Sequence, residues 1–295
     1  MEPGDSGPYR LRDKGTSEVN VHEPAEGRLS QWPVLASWGA LEVRLAETEA
    51  EVEAAQQLRY RVFYEEMSAV PSPQMREERR DFDRFDDVCD HMLVVDRENH
   101  DEDGQPKVVG TYRMMRDVDA RRAGGFYTAS EFDIAPLLSG VAKGTKLLGL
   151  GRSSVLKSYR AKPACLQLLW RGLAVFNGRF SIDLMFGCAS LAGTDPDALA
   201  LPLSYLHHFH PMPQSMHVRA LPQLYVDMNR MPKDAIDPKE ALRALPPLIK
   251  GYVRAGARIG DGAVIDRQFG TTDVFIHFPV SNMNARYSSR FGPTA

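Results

Sequence analysis

The sequence predicts an α/β (α+β) fold, a mixed central sheet flanked by helices, and three observations predict it. Short runs of alternating or concentrated apolar residues outnumber segments with helical period. The two kinds are unevenly interleaved along the chain, which favours a mixed sheet over a doubly wound parallel one. The chain has 295 residues, 43% of them hydrophobic, enough to bury a substantial core without disulfide or metal staples.

Taken in order, residues 1–38 combine Gly, Pro, Ser and charge with little hydrophobic period, and a disordered tail is expected there, with residues 39–295 as the folded domain. A first strand is expected over residues 40–46, where Leu41, Val43 and Leu45 alternate with Glu42 and Arg44. Thr48-Glu-Ala-Glu51 has the spacing of a capping box, so a helix should follow. Val52, Ala55, Leu58, Val62 and Met67 recur at helical spacing until Pro71 and Pro73 stop the run. The β-rich runs 91–95 and 108–115 flank a polar stretch closing in Asp103-Gly104, which predicts a hairpin.

A further strand is expected over residues 151–156, then a basic turn, then a helix carrying Leu166, Leu169, Leu173 and Phe176. Residues 182–188 read as another strand, 196–209 and 246–257 as helices, and 212–235 as irregular with scattered prolines. Late strands are expected over 263–265 and 274–278.

Bulk properties exclude several classes. A net charge of −3 argues against general attraction to nucleic acid. Cys89, Cys165 and Cys188 are odd in number, lack zinc-type spacing and follow no signal peptide, so they are expected as thiols in the cytoplasm. The longest apolar stretch, 164–176, is interrupted by Gln167 and Arg171. Any membrane contact is therefore expected to be peripheral, at the inner face.

The segments Leu58-Arg-Tyr-Arg-Val-Phe63, Asp81-Phe-Asp-Arg-Phe-Asp86-Asp87, Gly110-Thr-Tyr-Arg113, Phe126 and Leu150-Gly-Arg152, in this order, resemble the acyl-homoserine lactone synthases. A longer stretch, from about residue 40 to 290, resembles the L-ornithine N-alpha-acyltransferases that make lyso-ornithine lipid; it includes Gly187-Cys-Ala-Ser190, Gly193-Thr-Asp-Pro196 and Leu203-Ser-Tyr-Leu-His-His208. The resemblance implies a GNAT-like fold with a C-terminal extension, about 210–295. It implies transfer of a 3-hydroxyacyl group from acyl carrier protein to the α-amino group of ornithine, with no cofactor beyond the carrier's phosphopantetheine. Carried onto this sequence, Asp83, Asp86, Arg113 and Arg152 would be catalytic and Arg59, Phe63, Asp87 and Phe126 substrate-binding. Two positions depart from the lactone synthases: Gly149 stands where an acid commonly precedes the last arginine by three residues, and no tryptophan stands near Ala69.

The residues themselves point the same way. Enzymes of this fold grip the coenzyme A pyrophosphate on a glycine-containing turn at a helix N-terminus, where exposed N–H groups and the helix dipole attract anions. Here that turn reads Tyr159-Arg-Ala-Lys-Pro-Ala-Cys165, and Pro163 removes a donor. Arg152, Lys157, Arg160 and Lys162 nevertheless place four cations and no carboxylate within eleven residues. Lys157, Arg160 and Lys162 would suit an acidic carrier protein; the alternative is an ordinary solvated turn.

Asp81, Asp83, Asp86, Asp87 and Asp90 are the expected amino-acid site, with Arg113 anchoring the substrate carboxylate; the alternative is a surface loop or helix start. Asp83 or Asp86 would act as base, and backbone N–H groups near Arg152 would polarise the thioester carbonyl. An acyl-enzyme on Cys188, with His207 or His208 as base, is the less favoured course because cysteines in buried strands are usually inert. No metal site is expected, since His207, His208 and His210 have no acid at ligand spacing. Met114, Met115 and Met185 fit either core packing or the wall of an acyl tunnel.

Overall fold

The structure, a computed structural model, describes residues 34–67 and 69–283, together with the backbone of two short strands nearer the start. Among these, the strands are β1 (Tyr9–Arg12), β2 (Glu18–Val21), β3 (Ala36–Trp38), β4 (Leu41–Leu45), β5 (Asp90–His100), β6 (Pro106–Arg116), β7 (Phe132–Asp133), β8 (Leu147–Val155), β9 (Leu184–Ala192), β10 (Arg219–Ala220), β11 (Tyr225–Val226), β12 (Arg258–Asp266) and β13 (Thr271–Pro279). The helices are α1 (Glu49–Tyr60), α2 (Pro73–Glu78), α3 (Asp117–Arg122), α4 (Ala135–Gly140), α5 (Lys157–Arg160), α6 (Pro163–Phe180), α7 (Ala200–Phe209), α8 (Pro238–Ala244) and α9 (Pro247–Ala255). Most of the segment expected as a tail lies outside the described residues, although its last residues already form β3 with Ala36 buried. Of the extension expected from about residue 210, the last stretch, 284–295, also lies outside them.

The strands form one mixed sheet in the order β1-β2-β3-β4-β5-β6-β8-β9-β13-β12-β10-β7, with β11 on β12. Neighbours on the path from β1 to β8 are antiparallel, whereas β8 and β9 are parallel. Parallel neighbours need a crossover, and α6 supplies it. β13, from the C-terminal segment, pairs with β9 along its whole length and so completes the middle of the sheet.

Strand alternation assigns the two faces. On β5, Leu93 and Val95 cluster with Ala55 of α1, while Met92 lies against Gly172 of α6. Thus α1 covers one face and α6 the other. α1 begins with the capping box: Thr48 Oγ1 accepts from Glu51 N, and the Glu51 carboxylate accepts from Thr48 N. The expected helix does not run on regularly to Met67; Arg61–Glu66 form a π-helical turn, a widening found mostly at functional sites.

Three features shape the centre. First, β8 begins at Leu147, earlier than its polar C-terminal half suggests, because Leu147–Leu150 is buried between β6 and β9. Second, β8 pairs with β9 only through Leu147–Leu150 and Leu184–Gly187, after which the two strands diverge. A Cβ on Gly187 would sit 2.1 Å from the Leu150 carbonyl oxygen, so only glycine permits the close approach from which they splay. Third, Thr111 stands opposite Ser154 but Arg113 opposite Gly151, so Arg152 and Ser153 together face Tyr112 in a β-bulge. Arg152 has φ +52°, the left-handed conformation that lets the bulged strand turn its guanidinium aside.

Candidate active site

The splay opens a cavity of about 280 Å³ that passes through the sheet. On the α1 face it is lined by Arg113, Tyr127, Gly151, Cys188 and Asp273, and on the α6 face by Tyr112, Leu150, Ala189 and Leu248. Phe63 and Met67 from the π-helical turn, with Phe269, close its rim; Phe63 and Phe269 meet edge to face at 5.3 Å. A narrow apolar gap of only about 10 Å³ lies beyond it, bounded by Tyr112, Leu150, Met185, Ile276 and Phe278. A larger groove of about 670 Å³ lies around Gly125, Ile134, Leu138 and Gly144 and shares no lining residue with the cavity at the bulge.

Beside the cavity sits a balanced ion network. Arg59, fully buried, donates to the Asp81 carboxylate at 2.7 Å and to both Asp86 oxygens at 2.9 Å. Arg113 donates to Asp83 at 2.7 Å and Asp86 at 3.1 Å, and Arg152 to Asp81 at 3.1 Å and Asp83 at 3.4 Å. Burial opposes ionisation of Asp81 and Asp83. Arg152 and Arg59 around Asp81, and Arg113 and Arg152 around Asp83, outweigh it and hold both below the usual carboxylate range. Asp83 and Asp86 raise Arg113 against the opposing effect of burial.

This geometry revises the acceptor-site expectation. Asp81, Asp83 and Asp86 already receive three guanidinium groups, so they offer an incoming ammonium no uncompensated charge. Held ionised by arginine, Asp83 is also a poor proton acceptor, and Asp86 lies outside the cavity lining. Asp87 is exposed, and Asp90 pairs with Arg116 at 3.1 Å. Phe63 lines the cavity, whereas Phe126 is buried beneath it, packed on Phe186 with ring centroids 4.8 Å apart. A side chain at Gly149 would meet the Phe126 ring at 2.8 Å, so an aromatic ring fills the place where the lactone synthases commonly carry an acid.

The carboxylates with charge to spare come from elsewhere. Glu131 follows the short turn Tyr127–Ser130, Asp266 ends β12, and Asp273 lies in β13; each offers an oxygen within 4.8 Å of the others. The register explains the meeting: Asp273 stands opposite Ser190 and Val264, and Thr271 opposite Asp266, which puts these side chains on the face that Glu131 covers. Burial, then the neighbouring Asp273, pushes Glu131 up to about 7, and burial raises Asp273 as well. By charge and spacing the trio would accept an ammonium group or a hard cation. The sequence signal was faint: Asp273 is the lone acid of its strand, following two threonines and preceding a largely apolar run.

Tyr127 presents a buried hydroxyl with no hydrogen-bond partner to the same cavity. Cys188 lines it too, but burial and then Glu131 push its thiol well above the ordinary range, which disfavours an acyl-enzyme. His207 and His208 are not in the lining, and the His208 ring is engaged with the Met231 carbonyl oxygen at 3.0 Å.

Lys157, Arg160 and Lys162 are exposed on the α5–α6 turn; of the three, Arg160 lines the cavity and also pairs with Glu66. The turn is closed by its own hydrogen bonds: Tyr159 N and Arg160 N donate to Leu156 O, Lys162 N to Tyr159 O and Cys165 N to Lys162 O. No helix among the described residues is long and apolar enough to cross a membrane.

Comparison with known proteins agrees with this architecture. An acetyltransferase (GNAT) domain model matches residues 58–171. The chain is 50% identical over 262 residues to an L-ornithine N(alpha)-acyltransferase from Brucella abortus (strain 2308), covering 89% of this chain and 92% of that one. It is 48% identical over 262 residues to the protein of that name from Rhizobium meliloti (strain 1021), covering 89% and 88%. Among solved structures, the acyl-homoserine lactone synthase LasI matches with a TM-score of 0.46 at 14% identity, covering 87% of this chain and 98% of that one.

Proposed function

The chain belongs to the L-ornithine N(alpha)-acyltransferase family and is an acyltransferase of the GNAT fold, and we propose that it moves a 3-hydroxyacyl group from acyl carrier protein to the α-amino group of L-ornithine, giving lyso-ornithine lipid. One observation carries the reading: the splay between β8 and β9 joins an apolar wall on one face of the sheet to a carboxylate-lined chamber on the other. The thioester arm enters through the splay and its acyl chain starts against Tyr112 and Leu150; the gap of about 10 Å³ by Met185 must widen to take the rest of the chain. The amino acid waits on the α1 face, in the chamber lined by Tyr127, Glu131 and Asp273.

The chemistry follows from what lines the cavity. Glu131, poised near neutrality, takes a proton from the attacking amine. The N–C bond forms, and the developing oxyanion is stabilised by backbone N–H groups freed from the ladder at the bulge and by the Tyr127 hydroxyl. The C–S bond then breaks, and the departing thiolate regains a proton from Glu131. Starting from an ammonium acceptor, one further proton leaves to solvent, so thioester plus ammonium yields amide, thiol and H⁺.

The donor assignment rests on the α5–α6 turn. Its N–H groups are largely spent internally and Pro163 has none, so it is poorly equipped to wrap a pyrophosphate, while Lys157, Arg160 and Lys162 favour an acidic protein surface. The carrier's own phosphopantetheine is then the sole cofactor needed. Carrier-bound donors place the reaction in the cytoplasm, with peripheral contact at the membrane face that takes up the product.

The test is mass spectrometry of products from 3-hydroxyacyl carrier protein and a mixture of amino acids, with N-acylornithine expected. The triple variant Lys157→Glu, Arg160→Glu, Lys162→Glu should lose about tenfold or more in kcat/KM for the carrier-borne donor and little for a small thioester. Equal loss on both donors would remove the docking role.

A further inference from the structure

Three carboxylates are more than a proton-transfer step requires. Glu131 alone suffices to move the proton, yet Asp266 and Asp273 are held against it at an electrostatic cost that burial magnifies. Asp266 is fixed in direction, since its Oδ1 accepts from Gln268 N at 2.8 Å and Phe269 N at 3.0 Å. Asp273 is 7% exposed, and its Oδ1 has no hydrogen-bond partner. A neighbouring, uncharged group points the same way: the Thr271 hydroxyl, 4% exposed, lines the cavity beside the Asp273 carboxylate and receives no donor of its own. Buried acceptors without donors are costly, and here they converge on one space.

We propose that Glu131, Asp266 and Asp273 form a subsite for the second, side-chain ammonium group of a diamino acid, so that the enzyme selects acceptors with two amines and directs acylation to the other one. The proposal rests on the reading of the chain as an amino-acid N-acyltransferase. An alkylammonium brings three N–H donors and no acceptor, and three carboxylates meet those three donors one to one. A hard divalent cation, its remaining ligands supplied by water, is the rival occupant, and the EDTA and Mg²⁺ or Ca²⁺ arm of the experiment separates the two. Clamped in this way, the side-chain amine stays protonated and cannot attack, while the α-amine is left to the thioester. The same cation favours the ionised form of Glu131, so arrival of the correct acceptor prepares the base.

The experiment compares ornithine with 2-aminopentanoic acid, which keeps the three-carbon side chain and lacks the second amine. Wild-type enzyme should prefer ornithine by about a hundredfold or more in kcat/KM, the discrimination of a site whose buried polar groups go unpaired with the wrong ligand. Asp273→Asn and Asp266→Asn should each cut that preference by at least about tenfold, with the loss falling mainly on KM for ornithine. Calorimetric titration should show weakened ornithine binding by variants whose thermal melts remain cooperative.

Equal use of ornithine and 2-aminopentanoic acid by wild-type enzyme would overturn the subsite and leave the acyltransferase reading intact. So would an unchanged preference in a folded Asp273→Asn protein, or activity abolished by EDTA and restored by Mg²⁺ or Ca²⁺. Failure to acylate any amino acid would remove the acyltransferase reading and the subsite with it.

Discussion

Two groups of charges flank the same cavity, and they are built on opposite terms. In the network of Arg59, Asp81, Asp83, Asp86, Arg113 and Arg152, three cations meet three anions, and arginine holds Asp81 and Asp83 ionised against burial. In the group of Glu131, Asp266 and Asp273, three anions share one chamber, and burial pushes Glu131 and Asp273 toward the neutral form. A balanced network has spent its electrostatic potential on itself and acts as scaffold. An unbalanced one retains the potential to bind a cation or move a proton.

The largest effect should come from unbalancing the scaffold. Arg59→Ala would leave Asp81 and Asp86 buried beside too little positive charge, at a cost of about 3–5 kcal/mol. Urea denaturation followed by circular dichroism measures it. A loss below about 1 kcal/mol would mean that the network does not hold α1 to the chain around Asp81.

The converse change should stabilise the protein. Glu131 has its proton affinity raised from 4.5 to about 7 by folding, so between these values the folded state holds a proton that the unfolded state has lost. Its contribution to stability is neutral below about pH 4.5, falls as pH rises toward 7, and stays unfavourable above. Glu131→Gln removes the penalty and should gain up to about 3 kcal/mol at pH 8, shrinking to nothing near pH 4. Denaturation curves at several pH values test the sign. A variant less stable than wild type at pH 8 would place Glu131 among the scaffold charges. Activity measured as kcat/KM, which reports the free enzyme, should behave oppositely, rising in wild type as pH passes about 7 and collapsing in the variant.

This contrast explains what was legible in the sequence and what was not. Local signals were reliable: the Thr48 capping box and the Asp103-Gly104 hairpin turn both occur where residue chemistry placed them. The expected site residues Arg59, Asp83, Asp86, Arg113 and Arg152 are also brought together. Sequence spacing, however, cannot reveal that Asp81, Asp83 and Asp86 are matched by arginines from a distant helix and two distant strands. Conversely, Glu131, Asp266 and Asp273 are scattered singly among apolar or turn residues, and only the register of β12, β13 and β9 collects them. The start of β8 at Leu147 was hidden for a related reason, since a strand buried between two others shows no alternation.

The smallest effect separates the two groups most finely. Asp83 is the network member nearest in role to the acceptor chamber: its side chain is 28% exposed, and it holds Arg113 and Arg152 together. In Asp83→Asn, Arg113 keeps Asp86 and Arg152 keeps Asp81, so neither cation is orphaned, and the stability loss should be about 1 kcal/mol. If Asp83 is scaffold, KM for ornithine changes by less than about threefold, and the activity profile still rises near pH 7 because Glu131 is untouched. A large rise in KM at unchanged stability would return Asp83 to the acceptor site. The ion network would then be part of the binding surface, and the division drawn between balanced and unbalanced charge would fail where the two groups come closest, at Arg152.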